Sequence, residues 1–363
     1  MKLNIKNFKC FENSSIELKP LTILVGANGV GKSSVIQSFL LLRETLELRK
    51  QNVEKISLNG PFGLSLGSSS GLVNQNMDSD TIEFSIKDCE KKYVSANYSI
   101  DSDNDQLWIK CNDITGGWLL DKKEFYYLTA ERIGPRISQQ LKNLDYLQTG
   151  VYGEFTAQTI GEESGQIKIS PSRMRKEQKD PRLESQVNAW LDFILPGVSV
   201  RANNDINSMI AQLRIRNSFT QVQPVISPNI GFGITYVLPI ITTGLVAVND
   251  SIFIVENPES HLHPAAQSAI GQFIAFLADN GLHVIVETHS DHVINGIQIY
   301  TAKHSDFFNK VVINNFSIDG QLDQPIVNPI TINRIGEISE WPKGFLDQSR
   351  NDYIKLLKAR TNV

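Results

Sequence analysis

A glycine-rich loop between two apolar segments is the feature that most constrains how this chain can fold. Leu21 to Val25 is continuously apolar, as in a strand that is buried on both faces. It leads into Gly26-Ala27-Asn28-Gly29-Val30-Gly31-Lys32-Ser33, which fits the pattern GxxxxGK[ST]. From Val35 onward, apolar residues recur at helical spacing. A strand, a glycine loop and a helix in this order predict part of an α/β sheet.

The loop has the chemistry of a phosphate site. Its glycines allow the backbone N–H groups and the helix N-terminus to face an anion. We expect Lys32 to reach the outer phosphates of a nucleotide and the Ser33 hydroxyl to hold Mg²⁺. The expected nucleotide-binding residues here are Asn28, Gly29, Gly31, Lys32, Ser33 and Ser34.

A second cluster follows the apolar run Ile252 to Val255, which ends in Glu256-Asn257-Pro258-Glu259. Strand ends are where a phosphate-loop enzyme places its magnesium carboxylate, so Glu256 is the expected metal ligand beside Ser33. Glu256 and Glu259 are also candidate catalytic acids.

Four of the six histidines lie close by in the sequence: His261, His263, His289 and His292. Such a cluster can bind zinc, and that alternative stays open. The phosphate loop explains it without zinc, because His289 follows the buried strand His283 to Val286 and can reach a γ-phosphate.

Composition sets broad limits. The chain has 363 residues, 41% of them hydrophobic, and a net charge of -4, which predicts about two globular units. No apolar run is long enough for a membrane helix or a signal peptide, and three cysteines without metal-like spacing favour a reducing compartment. We therefore expect a cytoplasmic protein without membrane contact. The densest basic run, Arg173 to Lys176, is expected to be a solvated loop rather than a phosphate contact.

The predicted organisation has four parts. Residues 1–51 form the first part of an α/β head, and 52–128 form an antiparallel β subdomain. Residues 129–200 form an insertion with a mobile loop between Gly134 and Pro181, then a helix from Leu183 to Ile194. Residues 201–363 complete the head, with a last helix near Asp352 to Arg360.

The segments Gly26 to Ser33, VENPESHLHP and ETHSDH resemble the heads of ABC, SMC and RecF ATPases. More narrowly, they are similar to prokaryotic ATPases related to the overcoming-lysogenization-defect (OLD) nucleases and the Septu defence ATPases. The resemblance covers about 1–50 and 225–363, including the segment Trp341 to Gln348. It implies ATP and Mg²⁺ as cofactors and a homodimer or higher oligomer that sandwiches ATP.

The resemblance also implies further site residues. A signature turn at Asn229 to Thr235, with Gly231, Gly233 and Thr235, would contact the γ-phosphate held by a second copy; helix capping is the alternative. Arg132 and Arg136, in YLTAERIGPR, would sense nucleotide or form surface ion pairs. One departure is Asn257, where relatives carry a catalytic glutamate, because an amide cannot take a proton from water.

Between the two halves, the sequence lacks the length and heptad pattern of a coiled-coil arm, so DNA condensation is not expected. A transporter subunit is disfavoured as well. OLD nucleases continue into a nuclease domain, whereas this sequence stops at Val363, so we expect any nuclease to be a separate polypeptide.

Three hypotheses follow. The first is an ATPase switch that controls a separate effector, such as a nuclease, in anti-phage defence. The second is a nucleotide-sensing scaffold that does not hydrolyse ATP, and the third is a RecF-like repair ATPase that contacts duplex DNA.

Overall fold

The computed structural model describes residues 1–88, 91–101, 104–162, 167–219, 223–226, 231–318, 324–340 and 348–361. Its strands are β1 Lys2–Phe8, β2 Phe11–Glu17, β3 Leu21–Gly26, β4 Lys55–Ser57, β5 Thr81–Lys87, β6 Lys92–Ser99, β7 Trp108–Gly116, β8 Phe125–Leu128, β9 Gln139–Gln140, β10 Val198–Asp205, β11 Ile210–Asn217, β12 Val225–Ile226, β13 Ile252–Glu256, β14 His283–Glu287, β15 Val311–Ser317 and β16 Ile326–Ile330. Its helices are α1 Lys32–Arg49, α2 Thr156–Gly161, α3 Leu183–Ile194, α4 Phe232–Val246, α5 Pro264–Asp279, α6 Asp291–Lys303 and α7 Gln348–Thr361.

A mixed sheet of order β16-β15-β3-β14-β13-β8 carries the site. All its neighbours run parallel except β15 and β16, which pair antiparallel. Every residue of β3 is buried. Strands covered on both faces need apolar side chains in both directions, which explains why β3 and β13 are continuously apolar.

This sheet separates two hydrophobic cores. On β13, Phe253 and Val255 pack with the cluster that includes α3, α4, α5 and α6. Ile252 and Ile254 pack with α1 and the antiparallel strands on the other side. Because successive side chains of a strand point to opposite faces, each strand of the sheet is anchored in both cores.

Helix α1, which follows the phosphate loop, lies between the mixed sheet and the antiparallel sheet that contains β1 and β2. It is buried around most of its circumference. Val35, Phe39 and Leu46 are fully buried. Arg43, on the same helix, is also buried and donates to the carbonyl oxygens of Leu120 and Lys122. The helix is therefore held on all sides by packing and by hydrogen bonds.

The antiparallel strands form two sheets, of order β2-β1-β5-β6-β7-β4 and β10-β11-β12, the latter with β9 paired to β11. The first sheet combines β1 and β2 with β4 to β7, while β8 joins the parallel sheet. The predicted boundaries at 51/52 and 128/129 therefore separate strands that share a sheet. As a division of the chain into units, the four parts remain a prediction.

The region between Gly134 and Pro181 differs from the expected mobile loop. Its helix α2 is buried along Thr156 to Ile160. Arg173, expected in a solvated loop, is 2% exposed. Its guanidinium donates to the carbonyl oxygens of Gly244 and Ala247 at the end of α4. The arginine thus satisfies carbonyls that a helix C-terminus leaves free, and it binds the insertion to the core.

The expected α/β fold with an antiparallel subdomain is confirmed, and α3 has the predicted bounds. In the described ranges the longest helix is α1, with 18 residues, so those ranges contain no coiled-coil arm. None of the described helices is both long and apolar enough to span a membrane.

Helices α5 and α6 approach each other through two glycines. A Cβ on Gly296 would lie 2.0 Å from the Ser268 carbonyl oxygen, and one on Gly271 would lie 2.2 Å from that of Val293. The obstructing atoms are backbone, so neither helix can yield by a rotamer change.

We therefore expect Gly296→Ala to lower the free energy of unfolding by about 2 kcal/mol or more, because two packed helices must separate. Urea unfolding would measure the loss. Gly71→Ala is the control, since a Cβ there meets nothing within 4 Å. An equal effect of both substitutions would contradict the close packing of α5 on α6.

Candidate nucleotide site

The phosphate loop joins β3 to α1, and its glycines adopt backbone conformations that other residues rarely take. Gly26, Gly29 and Gly31 have φ values of 140°, 78° and 94°. A Cβ on Gly31 would lie 2.7 Å from the Cys10 sulfur. A Cβ on Gly29 would meet nothing, so this glycine faces open space. No side chain caps the N-terminus of α1, which leaves its first N–H groups available to an anion.

Lys32 lies at the base of this loop and is 3% exposed. Its ammonium donates to the carbonyl oxygens of Gly26 at 3.0 Å and Ala27 at 2.6 Å. The Glu287 carboxylate lies 3.7 Å away. Burial lowers the pKa of Lys32, and the charge of Glu287 opposes that shift.

A cavity of about 250 Å³ opens in front of the lysine. Its walls combine loop backbone, small polar side chains and three charged groups: Lys9, Cys10, Asn28, Gly29, Gly31, Lys32, Ser33, Ser34 and Glu287. The cavity thus contains all six residues of the loop that the sequence indicated for phosphate binding.

Glu256 ends β13 and is the register partner of Glu287, which lines this cavity. The Tyr127 hydroxyl donates to its carboxylate at 2.9 Å. Burial raises the pKa of Glu256, although this hydrogen bond acts in the opposite direction. A hydroxyl such as that of Ser33 and a carboxylate are oxygen ligands of the kind that Mg²⁺ takes, so these residues fit the expected metal.

Glu287 is the site residue that the sequence reasoning missed. It ends β14 and is the register partner of Glu256 on the neighbouring strand. It is 6% exposed. Burial first, and then the charge of Glu256, raise its pKa to about 7. The signal was present in the sequence: ETHSDH begins with an acid at a strand end, where only His289 was assigned a role.

Asn257, which directly follows Glu256, has a left-handed backbone with φ of 42°. Its N–H donates to the Glu287 carbonyl oxygen at 2.9 Å. Its side-chain oxygen is buried and has no hydrogen-bond partner among the described residues. The residue therefore joins β13 to β14 through its backbone.

Arg132 fixes the same turn from the other side. It is 2% exposed, so the surface ion pair considered for it is wrong. Its guanidinium donates to the carbonyl oxygens of Glu256 at 2.8 Å and Asn257 at 2.7 Å. It also lies over the Tyr236 ring, 5.3 Å from the centroid. Arg136, by contrast, is exposed.

Glu259 holds the loop that follows β14. One of its oxygens accepts from the Thr288 hydroxyl at 2.7 Å, and the other accepts from the His289 N–H at 2.8 Å. Partial burial, and next the charge of Lys32, lower the pKa of His289 and favour its neutral ring. With both oxygens engaged, Glu259 positions His289 in this structure.

The signature segment is described from Gly231 onward; Asn229 and Ile230 lie outside the described residues. Gly231 is the N-cap of α4, as the capping alternative predicts. A Cβ on Gly233 would lie 2.6 Å from the His261 carbonyl oxygen. The Thr235 hydroxyl donates to the Phe232 carbonyl oxygen within the helix. Contact of these residues with a phosphate stays a prediction.

The remaining histidines have separate surroundings. His261 contacts the rings of Phe232 and Tyr236. His263 caps α5, accepting from the Ala265 N–H. Across the described part of the chain, no three histidine, cysteine or acidic side chains converge as a metal site would require.

Together, the phosphate loop and the acids at neighbouring strand ends define an ABC/SMC-class P-loop ATPase head. Residues 21–295 match the model of the family described as "AAA domain, putative AbiEii toxin, Type IV TA system", and the chain belongs to this family. Residues 311–356 match a second family, described as "Protein of unknown function (DUF3696)".

Two known proteins are similar to this chain. The chain is 22% identical over 342 residues to the Old nuclease of Escherichia phage P2. The match covers 82% of this chain and 58% of that protein. The chain thus spans less than two thirds of this relative. Its fold is similar to a Pyrococcus furiosus Smc head with an extended coiled coil, solved bound to a ScpA domain, with a TM-score of 0.52 and 12% identity over 99% of this chain and 98% of that one. At this identity, the similarity shows the fold alone.

The raised pKa of Glu287 gives a prediction about stability. Its pKa rises from 4.5 to about 7 on folding, so the folded protein binds this proton more tightly than the unfolded chain. The stabilisation is therefore full below about pH 4.5 and is lost as the pH rises through about 7. Glu287→Gln removes the titrating group, so its free energy of unfolding should not show this loss. As the pH rises from about 5 to about 8, we therefore expect the natural chain to lose ~2 kcal/mol of stability that the variant keeps.

Urea unfolding without nucleotide, in the presence of a metal chelator, would measure this difference. Glu131→Gln, at an exposed carboxylate, is the control. Parallel pH profiles for the natural chain and Glu287→Gln would contradict the buried, protonated state of Glu287.

Proposed function

We propose that this chain binds Mg·ATP at Gly26 to Ser33 and hydrolyses it. The observation that carries the proposal is the convergence of the phosphate loop and Lys32 with two strand-end acids, the buried Glu287 and its half-buried register partner Glu256. A glycine turn without a ligand would not require a buried ammonium or two neighbouring carboxylates, because each of these costs desolvation free energy.

Each group has a role that follows from its position. The first N–H groups of α1 and the ammonium of Lys32 bind the phosphates. Ser33 and Glu256 would hold Mg²⁺, which supplies charge neutralisation at the phosphates. His289, with a neutral ring favoured, orients a water or a terminal phosphate oxygen. Arg132 acts as a positioning residue, because it holds the backbone of the turn that follows Glu256.

We further propose that two copies close on ATP, with Gly231, Gly233 and Thr235 of one copy near the phosphates bound by the other. The start of α4 supports this, since Gly231 borders open space and Phe232 is exposed there. Nucleotide-dependent closure would control a separate effector in the cytoplasm. The names of the relatives, a phage nuclease and a toxin–antitoxin family, support an effector nuclease and a role in anti-phage defence.

A second candidate is a scaffold that binds ATP without turnover. Asn257 favours it, because the amide cannot serve as a base and Glu259 is engaged by Thr288 and His289. Assembly state would then be the output, and turnover would be incidental. Phosphate release distinguishes the two candidates.

Lys32→Ala should abolish both ATP binding and phosphate release, because it removes the cation in the phosphate cavity. Binding of a labelled ATP analogue, phosphate release and mass in solution with and without Mg·ATP would be measured together. Lys2→Ala, at an exposed lysine on β1, is the control. Unchanged affinity in Lys32→Ala would refute the site. An ATP-dependent rise in mass without turnover in the natural chain would favour the scaffold.

Glu256→Gln should lower turnover at least about 100-fold, because the amide loses the charge that holds the metal. Glu259→Gln should lower it less, since the glutamine oxygen can still accept from one of the two donors. Steady-state turnover and the concentration dependence on Mg²⁺ would be compared for both variants. A larger loss in Glu259→Gln, with ATP-bound dimers accumulating, would identify Glu259 as the base instead.

A further inference from the structure

The sheet of β10 and β11 has one buried face and one basic face. Val200, Leu213 and Ile215 pack into the core beneath it. The opposite face exposes Arg201, Arg214 and Arg216, which we call the arginine face. Alternation along a strand explains the division, but it does not explain why the exposed positions carry three like charges.

The arrangement is electrostatically unfavourable for the isolated chain. Arg201 and Arg214 are register partners on neighbouring strands, so their Cβ atoms lie about 5 Å apart, where like charges destabilise a sheet. On its other side Arg214 faces Ile226. Within the described ranges, none of the three guanidinium groups is ion-paired to an acid of the chain. An external anion would relieve this repulsion.

The arginine face lines a groove of about 680 Å³ between the sheet and α3. The other walls are mostly uncharged and polar, including Asn188 and Gln223, and Glu184 is the acid among them. Guanidinium groups with neighbouring amides are the donors that recognise phosphate oxygens.

An exposed aromatic ring lies at the end of the same sheet. Phe219 is 77% exposed and lies two residues after the end of β11. Its ring borders Gly197, where a Cβ would lie 2.4 Å from it. A large ring left in water, just beyond the end of the strand that carries Arg214 and Arg216, suits stacking with an unpaired base.

We propose that the arginine face and Phe219 form a binding site for single-stranded nucleic acid. The arginines hold the phosphodiester backbone, and Phe219 stacks on a base. Eight residues of strand extend about 26 Å, which is enough for several nucleotides. A duplex fits less well, because its bases are already stacked on one another and cannot cover the ring. The site does not use the phosphate loop, so it stands independently of ATP hydrolysis.

Fluorescence anisotropy of the full chain, without nucleotide, tests the proposal with labelled oligothymidine and oligouridine of about 20 residues over a range of salt concentrations. Arg201→Glu/Arg214→Glu should weaken binding at least about 10-fold and lower the salt slope by about 1.4, for two lost phosphate contacts. Phe219→Ala should weaken binding about 5-fold or more without changing the slope. Binding of either strand supports the site, and tighter binding of oligouridine identifies RNA as the ligand.

A matched control is available on another sheet. Lys2 and Lys87 are also exposed register partners, and Lys2→Glu/Lys87→Glu changes the same number of charges. This variant should bind like the natural chain. Arg201→Gln/Arg214→Gln, which introduces no new charge, should weaken binding if the fold is intact.

Four results would overturn the proposal: no oligonucleotide binding at low salt, equal losses in the two charge reversals, duplex binding as tight as single-strand binding, or equal competition by polyglutamate. The last result would indicate an acidic polypeptide as the partner.

Discussion

The burial of the Lys32 ammonium against the Glu287 carboxylate is the interaction on which the site depends. Lys32 is almost fully enclosed, and only carbonyl oxygens and Glu287 compensate its charge. Glu256 lies on the next strand, in register with Glu287, and burial raises the pKa of both acids. The two neighbouring carboxylates repel each other, and an enclosed carboxylate needs a partner or a proton. A divalent cation beside Ser33 would reduce this repulsion, whereas without one a proton on Glu287 does so.

The rest of the head keeps these groups in register. A shift of one residue in β13 would exchange Ile254 and Val255 between the two cores and would turn Glu256 away from the cavity. Because the two faces of the strand pack against different layers, both cores oppose such a shift. Helix α1 is clamped in the same way, so the loop that precedes it starts from a fixed point. The precision of the site therefore comes from burial on two sides rather than from contacts within the site.

The sequence predicted the parts of this arrangement that have a local pattern. The phosphate loop, β13 and α3 were recognisable because glycine spacing and apolar periodicity are local patterns of consecutive residues. The roles of Arg132 and Arg173 were not, since each arginine donates to carbonyl oxygens more than 70 positions away. The sequence does not distinguish a buried arginine from a solvated one. A hydrogen bond to a backbone carbonyl cannot be inferred from residue types, because every residue has that carbonyl. The pairing of β1 with β5 was missed for the same reason: register between distant strands depends on the assembled core.

Asn257 connects this geometry to the rate of the hydrolysis that we propose. Its left-handed backbone is one that asparagine adopts more readily than glutamate, because the short amide side chain tolerates positive φ. The N–H of the residue binds Glu287, and its carbonyl oxygen binds Arg132, so the conformation is fixed from both sides. The residue type therefore suits the turn, while it removes the carboxylate that would take a proton from water. Each of the neighbouring acids that could serve as base already compensates Lys32, accepts from Tyr127 or holds the His289 loop. A carboxylate that is already engaged in an ion pair or a hydrogen bond is less available to accept a proton from water. We therefore expect the proposed hydrolysis to be slow and the ATP-bound state to be long-lived.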